Sequence, residues 1–273
     1  MTAPVHAPMP APPGRVRPPW PAWSGFAALG LALVIAVIAS GILLAIVQAT
    51  GADVNADSPG VSIGATLIQD GVLVGCALWL AARIAPPRPW QFGLRGTPFW
   101  RGVKWAAIAF AIYFVFQLIY AAAIHPDEKQ TTLEDLGAGS SAIATFVIGI
   151  LVVGVAPVAE EFFFRGFFYS ALRTRFSFVA AALIDGVVFG AVHAPTGIQA
   201  VPPLIVLGIA FCIAYEATGS IIPGVILHAL NNMVAFGVDK DGSWAVAGGV
   251  AGALIAACIL VPARLGAARA APG

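Results

Sequence analysis

The segment Pro157-Val-Ala-Glu160-Glu161-Phe162-Phe163-Phe164-Arg165-Gly166 sets two carboxylic acids and a guanidinium in an otherwise apolar run. On a helix Glu161 and Arg165 stand at i, i+4 and neutralise each other. Glu160 lies about 100° around the same helix and has no such partner within its turn, which leaves it free to face a cavity as a base. Pro157 removes the donor for the carbonyl of Val153, four residues earlier, and so permits a kink just before the acids. Two more pieces follow: Phe189-x-x-x-His193, a ring and an imidazole on one face, and His228-x-x-x-Asn232, an imidazole and an amide pointing the same way. A carboxylate beside a histidine activates water as a general base. A histidine with an asparagine amide donates to a tetrahedral oxyanion, each donor worth about 10²–10³-fold. Together these groups describe hydrolysis of an amide or ester bond without a nucleophilic Ser or Cys. No His-Glu-x-x-His is present, and Cys76, Cys212 and Cys258 have no histidine at helical spacing. Glu160, His193 and His228 also make up the His₂Glu ligand set of a catalytic zinc site, so spacing leaves metal-bound and glutamate-activated water both open. Taken singly, each piece also reads as packing: a buried ion pair with a protonated acid beside it, a satisfied core histidine, a pair of interhelical hydrogen bonds.

The elements that must position these groups are membrane helices. Of 273 residues, 59% are apolar and 10% charged, against about 25% charged in a soluble domain. That excludes a water-soluble enzyme, and a net charge of +1 excludes nucleic acid as a partner. Apolar runs near 24–48, 61–82, 104–124, 142–172, 178–195, 202–217, 221–237 and 244–263 predict an all-α polytopic protein of about eight transmembrane helices. The first run exceeds the roughly 7–15 residues of a signal-peptide core. The tail before it, 1–22, carries eight prolines and reads as disordered or extended. N-terminal helices then occupy 23–139, the chemistry-bearing core 140–240, and a last helix with a basic tail 241–273. With the N-terminus cytoplasmic, Arg15, Arg17, Arg83, Arg88, Arg95, Arg101, Lys104, Arg173, Arg175, Arg264 and Arg269 fall inside, and only Lys129 and Lys240 outside. The positive-inside rule therefore places both termini in the cytoplasm of a multi-pass protein of the plasma (inner) membrane.

Depth links the three pieces. A turn at 173–177 makes 142–172 and 178–195 an antiparallel hairpin. Glu160 precedes Arg175 by about as many residues as His193 follows Ser177, so each sits roughly 22–24 Å from the turn. His228 and Asn232 lie about 12–18 Å into their own helix by the same rise, close enough for tilt to bring them level.

Glu-Glu-x-x-x-Arg at 160–165, Phe-x-x-x-His at 189–193 and His-x-x-x-Asn at 228–232 resemble, in that order, the three motifs of the CAAX-protease and bacteriocin-processing intramembrane peptidases, also called Abi or type II CAAX prenyl endopeptidases. The resemblance covers roughly 140–240. It implies that Glu160 and His193 activate water, that His228 and Asn232 stabilise the oxyanion, and that Glu161, Arg165 and Phe189 support them. It implies a peptide or protein substrate in or at the lipid bilayer. The cofactor stays open: none is required by a glutamate-dependent mechanism, and zinc is the alternative. Two other readings stand beside the peptidase. One is a non-catalytic immunity or scaffold member of the family. The other is a proton-coupled carrier using Asp70, Glu160 and Asp185, which an absence of internal repeats disfavours.

Overall fold

A computed structural model describes residues 18–56, 58–125, 136, 142–239 and 243–270. The described residues form eight apolar helices and no strands: α1 Ala22–Ala49, α2 Pro59–Ile84, α3 Phe99–Ile124, α4 Ala142–Leu172, α5 Phe178–Val192, α6 Val201–Thr218, α7 Ile222–Asp239 and α8 Trp244–Ala270. The protein is an all-α, multi-pass integral membrane protein. Five of these helices are by themselves long and apolar enough to cross a bilayer, while α5 and the apolar parts of α7 and α8 are shorter. The expected span 178–195 ends early because Pro195 cannot continue a helix: α5 stops at Val192 and His193 caps it. Most of the Pro-rich tail, 1–17, lies outside the described residues. Its last part is packed rather than disordered, since Trp20 is fully buried with its ring 4.6 Å from Phe92 and 4.9 Å from Phe167.

α4 is the axis of the bundle. All eight residues from Phe162 to Tyr169 are buried, Arg165 among them. Helices α1 and α2 pack on one side of it and the α5–α6 hairpin on another, with α7 and α8 closing the N-terminal half. By contrast α3 packs along α6 and against α7 yet buries only Gly102 and Ala109. The lower end is pinned by polar contacts. Arg173 Nη2 lies 2.9 Å from Glu216 Oε1, and the Tyr169 hydroxyl donates to Glu216 Oε2 at 2.8 Å. Arg95 donates to the Gly219 carbonyl and Arg101 to that of Ala217, so two cations sit where α6 ends and its dipole is negative.

Candidate active site

The backbone of α4 changes twice around the acids. From Ile150 to Val155 it is π-helical, and the Ala156 N–H donates to the Leu151 carbonyl, five residues back. In that register the next carbonyl, Val152, faces Pro157, which has no N–H to offer. An α-helical count points to Val153 as the freed carbonyl; the π turn moves it by one residue. Asn232 Nδ2 takes it up, donating to Val152 O at 2.9 Å. A second π stretch, Phe162–Tyr169, begins directly after Glu161. Single π turns in α-helices gather at functional sites.

Between these two stretches Glu160 meets both histidines. Its Oε2 lies 3.8 Å from His193 Nε2 and 3.8 Å from His228 Nε2. His193 Nδ1 sits 2.7 Å from the Phe189 carbonyl. A carbonyl only accepts, so Nδ1 carries the proton and Nε2 is the atom turned to Glu160. His228 lies between the two acids, with Nδ1 3.5 Å from Glu161 Oε1, and its ring stacks on Phe211 at 5.1 Å. Asn232 stands one turn further along α7. Glu160, His193 and His228, from three different helices, thus meet at one place. A cavity of about 720 Å³ opens beside them, walled by α1, α2, α4, α5, α6 and α7 with Gln117 of α3, and it has Glu160, His193, His228 and Asn232 on its surface.

Behind this wall Arg165 is wholly buried and engaged through both of its terminal nitrogens. Nη1 donates to Glu161 Oε1 at 2.9 Å, Nη2 donates to the Gly208 carbonyl at 3.0 Å, and Nη2 lies 3.5 Å from Asp185 Oδ1. The guanidinium is also packed between the rings of Phe189 and Phe211, at 4.7 and 4.8 Å. Gly208 makes this possible: a Cβ there would stand 2.9 Å from the Gly186 backbone and 3.3 Å from Arg165 Nη2. Phe189 serves both sides, since its ring covers Arg165 and lies 4.8 Å from His193. The Glu161–Arg165 pair expected from spacing is therefore one edge of a triad that includes Asp185, which also accepts from Cys212 Sγ at 3.2 Å. Spacing alone could not assign Asp185, because its partner comes from another helix. Asp70 is a second residue that spacing left without a role; it lines the same cavity as the histidines.

Zinc requires three donors converging at about 2.0–2.2 Å on one point. Among the described residues no group of three His, Cys, Asp or Glu side chains is arranged to hold a metal ion, and Glu160, His193 and His228 as placed do not form that ligand set.

The family model of "Type II CAAX prenyl endopeptidase Rce1-like" matches residues 142–234. Among curated proteins, the chain is 28% identical over 167 residues, 57% of its length, to a Bacillus subtilis (strain 168) protein named "Uncharacterized protein YyaK". It is 22% identical over 140 residues, 48% of its length, to "Membrane-embedded CAAX protease MroQ" of Staphylococcus aureus (strain USA300). The matches cover 54% and 55% of these relatives, so the chain spans about half the length of each. No solved structure matches the chain. Glu160, Glu161, Arg165, Phe189, His193, His228 and Asn232 all fall inside the Rce1-like segment. The cavity wall formed by α1, α2 and α3, with Asp70 and Gln117, falls outside it.

Proposed function

We propose that the chain is an intramembrane endopeptidase that hydrolyses peptide bonds of membrane-associated substrates with a glutamate-activated water. The observation that carries this reading is one carboxylate oxygen, Glu160 Oε2, at 3.8 Å from two imidazole Nε2 atoms on the wall of a cavity inside an apolar bundle. A water between Glu160 and His193 gives its proton to Glu160 as it attacks the scissile carbonyl carbon. The charge that develops on the carbonyl oxygen is met by His228 Nε2–H and by the Asn232 amide, in surroundings where a donor counts for more than in water. Collapse of the tetrahedral species breaks the C–N bond, and the proton returns from Glu160 to the leaving amine. Glu161 and Arg165 position this pair: Glu161 faces His228 Nδ1, and Arg165 holds Glu161. The test compares peptides recovered from membranes of cells carrying the wild type or Glu160→Gln. Fragments present with the wild type and absent with the variant are expected; identical inventories would reject the peptidase.

Asn232 has two jobs in this scheme, and they separate experimentally. One amide hydrogen tethers α7 to Val152, and the other is left for the oxyanion. Asn232→Ala is therefore expected to lower kcat by about 10²–10³-fold with little change in KM. A rise in KM alone, or loss of thermal stability without loss of kcat, would reduce Asn232 to a tether. The same preparation, assayed after chelation and weighed for metal, is expected to keep its activity. Stoichiometric zinc that disappears in His228→Ala would replace the glutamate-activated water with a metal-bound one and leave the peptidase standing.

The orientation belongs to the same proposal. Reporter fusions at Asp57, Glu134 and Asp239 are expected to read as extracytoplasmic, and fusions near Arg95, Arg175 and Arg269 as cytoplasmic. A reversed pair around 142–195 would turn the cavity to face the other side of the membrane.

A further inference from the structure

We infer that Asp70 makes the cavity selective for peptides carrying a cationic group, a protonated amine or guanidinium, beside the scissile bond. The inference leans on the peptidase reading only for calling the occupant a peptide. Asp70 sits on α2, which packs against the Ala156–Glu161 turn of α4 that carries Glu160. It is 3% exposed, its side chain lines the cavity, and neither of its oxygens has a hydrogen-bond partner among the described residues. Two more acceptors on that wall share this condition: Glu160 Oε2 and Gln117 Oε1. A buried acceptor without a donor costs about 1–3 kcal/mol, more if it is charged, and nothing in the packing of α2 relieves it. No Lys or Arg lines the cavity among the described residues. Arg165, the buried cation nearest in the chain to Glu160, is spent on Glu161, Asp185 and Gly208. Two carboxylates and an amide oxygen facing one space, with no fixed cation, are complementary to a mobile one.

The position of Asp70 in the chain says what kind of role this is. The groups assigned to bond cleavage lie within the Rce1-like segment, whereas Asp70 and Gln117 come from helices outside it. On this reading the matched segment supplies the chemistry, and the helices before it shape what is admitted. Asp70 is a specificity determinant rather than a catalytic residue.

The experiment reads binding, so cleavage is not needed. The protein is placed in nanodiscs of phosphatidylcholine, a lipid without net charge that does not attract cations. The probes are short fluorescent leucine–alanine peptides, N-methylated around the centre so that hydrolysis does not deplete them. One carries a central lysine, one norleucine, and both are acetylated; a third is the norleucine peptide with its α-amine free. The lysine peptide is expected to bind about tenfold more tightly than its norleucine twin, the scale of one hydrogen bond to a charged group. That ratio should fall to about one in Asp70→Asn and return in Asp70→Glu. Thr66→Lys, one turn before Asp70 on the same cavity wall, puts an internal ammonium beside it and should erase the ratio without touching Asp70. This second variant keeps the test valid if Asp70→Asn does not fold. An advantage for the free-amine peptide with none for lysine would assign the site to a peptide N-terminus, the other source of the same cation. Equal affinities in the wild type, no binding of any probe, or a ratio that survives both substitutions would overturn the inference. Lysine selectivity without any proteolysis would instead sink the peptidase reading and leave this one intact.

Discussion

Glu160→Gln is expected to lower turnover by about 10²–10⁴-fold, the contribution of a positioned general base, while the protein inserts and melts like the wild type. The two halves of this expectation have separate grounds. Gln keeps the size and polarity of Glu and loses only the ability to take a proton from water. The fold does not depend on that ability, because Glu160 Oε2 has no hydrogen-bond partner among the described residues and its imidazole neighbours stand at 3.8 Å, beyond bonding distance. Glu161→Gln is the control. It is the neighbouring acid, differs by the same single atom, and should damage stability instead. Turnover of a confirmed substrate at the wild-type rate by Glu160→Gln would remove Glu160 from the mechanism.

The second large effect concerns Arg165. Arg165→Ala strips the cation from two carboxylates at once, those of Glu161 and Asp185, in a region of zero exposure. Removing one partner from a buried ion pair costs about 3–5 kcal/mol. The loss of the contacts between Phe189 and Phe211 adds to it. A sharp fall in the folded yield and in Tm of the purified protein is expected. The double variant Glu161→Gln/Arg165→Met tests the cause, because it removes the charge pair together and fills much of the volume. Its Tm should recover part of the loss, with Asp185 accounting for the remainder. If Arg165→Ala accumulates and melts like the wild type, the triad is not what holds α4 to α5 and α6. These two residues, five apart on one helix, are thus expected to fail in different ways: one in rate, the other in folding.

That division of labour was partly legible in the chain. The i, i+4 relation of Glu161 and Arg165 follows from helix geometry alone, and so does the exclusion of Glu160 from the pair. The i, i+4 faces Phe189–His193 and His228–Asn232 are local in the same sense. The all-α membrane architecture follows from composition and run length, since a spanning backbone in lipid must satisfy its own hydrogen bonds. Counting residues from the 173–177 turn at the α-helical rise sets Glu160 and His193 at one depth, and the π-helical stretch Phe162–Tyr169 lies within that count.

What needed the tertiary structure is everything set by contacts between helices, or by departures from the α-helical register. The position of the freed carbonyl shifted from Val153 to Val152 because a π turn changes the pairing by one residue, and it is Asn232 of another helix that takes it up. Asp185 joined Arg165 across a helix interface that brings Gly186 and Gly208 together. Trp20, at the end of a tail that composition describes as unfolded, is buried because Phe92 and Phe167 form a receptive apolar site far along the chain. Asp70 stood in the sequence as a lone acid in an apolar run; only the bundle shows that it shares a cavity with Glu160. Local periodicity determines which residues share a face of one helix. Which faces meet is decided by the packing of all eight, and that is where this site acquires its neighbours.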